Sequence, residues 1–457
     1  MRLFAAALLV SAATVLSAQS GTPVPAAVPA QGAAPATTEG YSGPAILSRG
    51  GTSSLRQPLT DISFRPYATV NGFYDNGLAT AVLQENGEIS NAGSMGVEAG
   101  FGAYGYRKLK RDLVSLDYRG TYRYYTHDKM FNGTDQFLTL GYAHHFSRRT
   151  SLTLREAAGT FSRAYGFYNQ FGVSDPSFAS IPTFDMLDDR TYYLSSMADV
   201  TWQKSARLSF NAGGDGFTTR RKSNSLIGYS GIRVRGDVAY RYSRNSTIGV
   251  AYSFNHYEYT SSFGAIDLHG LNLNHSTRLT RQWELNLLLG GYRMESLALA
   301  QVAIDPVVAA IIGQSTGVEA RYRVNYLPNF VVSLNRAFQR ASLGFSYTRG
   351  FNPGNGIYVG ARTEAAGVSY GYTGIRKWNI GASGGYGTYS GVLQGDAGMK
   401  SFLGGVGITY QVQRFIHLNV RGDYRNWNIS TTGYKRVPYR VSFGIAFSPG
   451  DMPLSIW

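Results

Sequence analysis

Cysteine is absent from the 457-residue chain. That absence removes disulfides, thiolate metal sites, cysteine nucleophiles and the acylation site of a lipoprotein. Long apolar runs are missing as well. The nearest to one, LALAQVAIDPVVAAIIG at 297–313, is interrupted by Gln301, Asp305 and Pro306. No stretch is left that would cross a bilayer as a helix of about 18 apolar residues. Histidine is scarce, at seven residues, and neither HExxH nor GxSxG occurs. His144 and His145, adjacent on a strand, would point to opposite faces and not chelate one metal. His127 beside Asp128 is the pair best suited to hydrolase chemistry, but exposed polar residues of this kind are ordinary in loops. No metal, cofactor or enzymatic activity is expected.

What is abundant is glycine and aromatic side chains: 55 Gly, 33 Tyr and 24 Phe, with a formal charge of +15. The charge is spread over turns and strand faces without a recognition motif, so no nucleic-acid partner is expected. The chain opens with MRLFAAALLVSAATVLSAQS, a basic residue, an apolar core and a small-residue cleavage site, which reads as an export signal over 1–20. Residues 21–60 are rich in Ala, Pro and Thr and carry too little apolar surface to order themselves.

From residue 61 onward the period is two. In 113–126, Val114, Leu116, Tyr118, Tyr122 and Tyr124 alternate with Ser115, Asp117, Arg119, Thr121 and Arg123. Successive strand side chains face opposite ways, so one face is apolar and aromatic and the other charged. The pattern recurs in about eighteen segments, the first near 62–74 and the last near 436–448, many longer than the usual five or six residues of soluble strands. A soluble sandwich or propeller would need shorter strands. The expected fold is all-β, a transmembrane antiparallel up-and-down β-barrel over 61–448 of about 18 strands.

Tight joints between segments carry Arg or Lys: SRRT at 147–150, SARL at 205–208, SRNS at 243–246 and TRQW at 280–283. They alternate with longer connections such as 75–93, 163–189 and 297–315. Short turns on one side and long loops on the other are the asymmetry of barrels with a periplasmic and an external rim. The basic residues either meet head groups and the lumen at that rim or simply keep the turns soluble.

On the export signal, the dyad alternation, the loop asymmetry and the aromatic-rich last strand, the chain resembles the outer-membrane β-barrel proteins of Gram-negative bacteria. The resemblance implies residence in the outer membrane, with outer-membrane lipid, lipopolysaccharide and the barrel-assembly machinery as partners. Such proteins commonly end in an aromatic residue. Here the last strand stops near Phe447 and a Pro-containing tail, 449–457, ends in Trp457. That tail is similar to those of barrels associated with exopolysaccharide secretion, which would add periplasmic secretion components to the partners.

A barrel of this size is porin-like and leaves an aqueous interior unless loops fill it. The polar faces assign Arg119, Arg123, Arg233, Arg235, Arg241, Arg321, Arg323, Arg421 and Arg425 to the pore lining, with Arg362 and Arg440 beside them. Asp117, Asp199, Asp237, Glu319, Glu364 and Asp423 oppose them, so the field should favour anions, or else arginine–aspartate ladders merely stiffen the wall. The loop at 163–189 carries Asp175, Asp185, Asp188 and Asp189 and is a candidate constriction, or a solvated outer loop. Glu156 falls on the lipid-facing phase, which implies a bulge or a misread register. The expected function is a conduit for anionic or saccharide solutes, passive or part of a polysaccharide export system; the alternative is a structural or adhesive barrel with a plugged lumen and functional external loops.

Overall fold

The dyad alternation becomes one continuous antiparallel sheet. The computed structural model describes residues 62–78, 92–127, 129–162, 189–260, 263–305, 311, 313, 315–354, 356, 359–392, 398–429 and 435–448. In chain order its strands are β1 (Ile62–Leu78), β2 (Ala92–Lys108), β3 (Asp112–Tyr125), β4 (Gly133–His145), β5 (Thr150–Phe161) and β6 (Thr191–Gln203). There follow β7 (Leu208–Arg221), β8 (Gly228–Arg241), β9 (Ser246–Thr260), β10 (Gly264–Arg278), β11 (Trp283–Ala303) and β12 (Thr316–Ala337). The last are β13 (Ala341–Gly354), β14 (Val359–Tyr372), β15 (Trp378–Gly391), β16 (Gly398–Gln413), β17 (Ile416–Ile429) and β18, formed in two pieces, Lys435–Arg436 and Tyr439–Phe447. Pro438 separates the two pieces, as expected of a residue that cannot donate to a ladder. Each strand pairs with its neighbour in the chain, and β1 pairs with β18 from Ala68↔Phe447 to Asn76↔Tyr439, which closes the barrel.

The two faces are inverted relative to a soluble protein. Phe443 and Leu271 expose 69% and 62% of their surface to the outside, and Ile232, Val234, Val70 and Val97 lie on the same outer face. Polar residues alternate with them inside: Ser115, Arg123, Asp199, Asp215 and Asn272 are all buried. With no edge left at the closure between β1 and β18, such an exterior suits a lipid bilayer. Aromatic pairs mark the rim beside the short turns, including Trp202 on Phe210 at 5.3 Å and Trp378 on Tyr410 at 4.7 Å. These form the girdle expected at a membrane interface.

Four of the short turns, at Ser147, Ser205, Ser243 and Thr280, reverse without glycine because a hydroxyl does the work. Ser147 Oγ accepts from the amides of Arg149 and Thr150 at 3.1 and 3.0 Å. Ser205 does the same for Arg207 and Leu208, and Thr280 for Gln282 and Trp283. This side-chain mimic of a turn bond is the known use of Ser and Thr at reversals. Some of the basic residues next to these turns stack on the girdle: the Arg336 guanidinium lies 4.2 Å from the Phe338 ring centre and 5.0 Å from that of Trp283. Glu156 does face outward, and no bulge or register slip is needed to put it there. Both ladders of β5 run unbroken, and Ser196 on β6 donates to its carboxylate at 2.5 Å. His144 sits at the short-turn rim, where Asp112 and Tyr142 satisfy it.

Candidate functional site: the lumen of the barrel

Three kinds of surface line the interior. The first is charged and is carried by β17, β18 and β1–β4. Arg123 of β3 lies between Glu98 of β2, at 3.1 Å, and Asp135 of β4. Glu98 also accepts from Arg440 of β18 at 3.0 Å. Arg119 binds Asp117, and Arg421 binds Asp423, each at 2.6 Å within one strand. A second charged group lies on β6–β8. Arg235 contacts Asp199 at 2.8 Å and Asp215 at 3.3 Å, Arg233 reaches Asp215 at 2.7 Å, and Asn211 donates to Asp237 at 2.7 Å. Opposite charges thus meet in the places where an isolated charge would be costly.

The wall from β9 to β15 is lined instead with amides and hydroxyls. Asn255, Asn272, Asn329, Ser333, Ser346 and Asn379 are buried there. Asn329 donates to Asn272 Oδ1 at 2.7 Å and to Tyr292 Oη at 3.1 Å.

The third surface is apolar and crosses the barrel. Above Arg349, the end of β13 leaves the wall and turns inward with the start of β14. Phe351 packs on Tyr257 of β9 with ring centres 5.6 Å apart, and Val359 joins Phe217, Tyr229, Ile266, Leu268 and Met294 in one buried cluster. The amide of Ile227, in the β7–β8 connection, donates to Gly356 O at 2.8 Å, while Tyr389 on β15 donates to Asn352 at 2.7 Å. The hairpin end is therefore held from both sides. Gly360 makes the crossing possible: its φ is +64°, and a β-carbon there would stand 2.6 Å from Ile266 Cδ1. This bar narrows the passage on the β7–β11 side.

Most of the arginines expected from the sequence do share the luminal face: Arg119, Arg123, Arg233, Arg235, Arg241, Arg421, Arg425 and Arg440. Arg321 and Arg323 are on that face of β12 but stand at the rim opposite the short turns, largely exposed, with Arg321 3.5 Å from Glu319. Arg362 and Glu364 are corrections. They share the parity of Val368 and Tyr370 on β14 and face outward, whereas Ala361, Ala365 and Gly367 face the lumen. Asp189 is not free to form a constriction, because its carboxylate accepts from the Ser223 amide at 3.0 Å and fixes the β7–β8 connection. Asp175, Asp185 and Asp188 lie outside the described residues, as does Trp457.

The residues that pairwise reading of the sequence missed are of two kinds. Asp75, Glu98, Asp135 and Asp215 are luminal acids that offset much of the arginine excess. Ile266, Leu268 and Met294 are apolar yet luminal. A signal for them exists in β10: apolar residues occupy even positions up to Leu268, and odd positions from Leu271 onward. Among the described residues no group of three His, Asp or Glu could hold a metal ion.

No family model matches the chain, and no curated protein matches it. Solved structures with a similar fold include OpdL of Pseudomonas aeruginosa, at 12% identity and a TM-score of 0.39, covering 84% of this chain and 99% of that one. The BenF-like porin of Pseudomonas fluorescens Pf-5 is 12% identical with a TM-score of 0.43, covering 84% and 99%. OccK2 (OpdF) of Pseudomonas aeruginosa, solved in complex with glucuronate, is 13% identical with a TM-score of 0.42, covering 84% and 98%.

Proposed function

We propose that the chain is an outer-membrane channel that passes small polar solutes, with a preference for anions. The observation that carries this reading is the lumen itself, a closed wall of ion-paired arginines facing a wall of asparagines, crossed by one apolar bar. Arginine keeps the majority among the charged luminal groups, and its planar fork suits carboxylate, sulfate or phosphate. The amide wall would satisfy hydroxyls, which fits acidic saccharides of one or two rings. A bar fixed on both sides leaves little room for a polymer, so we favour passive movement of small solutes over polysaccharide export.

A second reading, a structural or adhesive barrel with a filled lumen, is favoured by the burial of Asn379, Thr409 and His417 near the short-turn rim. Conductance separates the two. In a planar bilayer under a KCl gradient, the channel reading expects steady openings with a reversal potential of the chloride-selective sign. A heat-modifiable, folded barrel that never conducts would leave only the filled-lumen reading standing.

A further inference from the structure

Strand β12 is bonded along its whole length on one side and only along its lower part on the other. Its ladder with β11 runs from Arg336 to Thr316, but its ladder with β13 stops at Phe330, opposite Arg349. Beyond that rung β13 pairs with β14 alone, as far as Gly354. Residues 316–329 of β12 therefore have no strand on their β13 side among the described residues. Pro328 stands two residues beyond the last rung on β12 and Pro353 four residues beyond it on β13. Neither has an amide hydrogen to offer, so neither position could extend the ladder, and β13 enters the bar instead.

The height of this split matters. Eight β12 residues, Phe330–Ala337, are paired below it. At about 3.3 Å per residue and a tilt near 40° they span roughly 20 Å, against an apolar band of about 25 Å. The split thus begins inside the outer leaflet, where an uncovered strand edge is tolerated only against protein or a cavity. An open groove of about 590 Å³, lined from β10, β11 and β12, lies beside that edge. Leu271, Arg293 and Tyr326 line it from the outer face, Tyr292 and Leu327 from the luminal parity, with Pro328 at the edge. Inside, Tyr292 and Leu327 pack against the apolar bar. Smaller apolar clusters lie on the luminal face elsewhere, at Phe73 with Tyr125 and at Phe161 with Tyr193, but the one beside the seam adjoins the apolar exterior.

We propose that the upper β12–β13 seam is a lateral portal, by which an amphiphile with a single apolar chain passes between the lumen and the outer leaflet. Its chain would lie along Leu327 and Leu271 and its head group beside Arg293 and Tyr326. This route is separate from the axial passage of polar solutes and does not depend on that reading.

The absence of cysteine lets single substitutions report without background. Leu327→Cys and Phe351→Cys place a thiol on either lip of the seam. Val234→Cys is a lipid-facing reference and Leu268→Cys a luminal one behind an intact ladder, each checked for folding by heat-modifiability. In phosphatidylcholine vesicles, N-hexadecylmaleimide is expected to label at least one lip thiol nearly as fast as Val234→Cys, and about ten-fold faster than Leu268→Cys. Excess laurate is expected to slow that lip labelling and leave Val234→Cys, away from the groove, unchanged. Lip thiols that react no faster than Leu268→Cys overturn the portal, whatever a water-soluble maleimide does. Lip labelling that laurate leaves untouched overturns the assignment of its occupant.

Discussion

Arg440, on the last strand, donates to Glu98 on the second strand at 3.0 Å, reaching over β1 between them. The bond belongs to a chain of charges that runs Asp135–Arg123–Glu98–Arg440 from β4 to β18, and so it spans the line along which the barrel closes. Glu98→Gln leaves two buried guanidiniums short of a carboxylate. We expect a loss of roughly 3 kcal/mol in urea unfolding from vesicles, the range for breaking a buried pair. The double variant Glu98→Met/Arg440→Met should recover part of it; no recovery would mean that the two residues act independently.

Gly444 pairs with Asn71 across the same closure, and a β-carbon there would collide with the Asn71 side chain and the Val70 carbonyl. Because one obstacle is backbone, the clash cannot be relieved by a rotamer change. Gly444→Val should therefore reduce the yield of heat-modifiable barrel, while Gly422→Val, where nothing stands within 4 Å, should not. Equal yields from the two would argue against a tight closure.

Phe351 anchors the apolar bar to Tyr257. Phe351→Ala should cost roughly 3 kcal/mol of stability by cavity formation. It should also raise unitary conductance, because the hairpin end loses its hold on β9. A stability loss with unchanged conductance would place the narrowest point elsewhere.

The hydroxyl turns are testable one at a time. Thr280→Ala removes the acceptor for the Gln282 and Trp283 amides and should destabilise the barrel by about 1 kcal/mol. Thr280→Ser should be close to neutral. If alanine is as well tolerated as serine, the turn is held by the flanking strands alone.

Glu156 faces lipid about midway along β5 with only Ser196 for a partner in its ladder position. Glu156→Leu should stabilise the protein in vesicles by about 1 kcal/mol, since a carboxylate on the lipid face is unfavourable there. Destabilisation instead would show that this face is covered by protein in the membrane.

Strand number, the gathering of the short turns at one end of the barrel and the inward face of most strand arginines were legible in the sequence, because a period of two states directly which residues share a face. Parity failed where charge was used in its place. Arg362 and Glu364 were assigned inward for being charged, although Val368 and Tyr370 share their phase on β14. The bar was not legible from strand-by-strand reading because it depends on β13 leaving the wall. The change of apolar phase within β10 and the pair Pro328 and Pro353 were its local traces. Hydroxyl-mediated turns escaped notice because glycine and asparagine are the signals usually sought at a reversal.

The chain of charges across the closure also orders events in time. Glu98 and Arg440 are 342 residues apart, so the second strand holds its carboxylate without its last partner until the final strand has arrived. Until then Arg123 and Glu98 sit beside an open edge, and a premature closure lacking β18 would leave Glu98 with Arg123 as its one partner from this network. The network can therefore act as a completion check: the cylinder gains its full set of bonds only when every strand has been laid down, and an unfinished one is left exposed for removal.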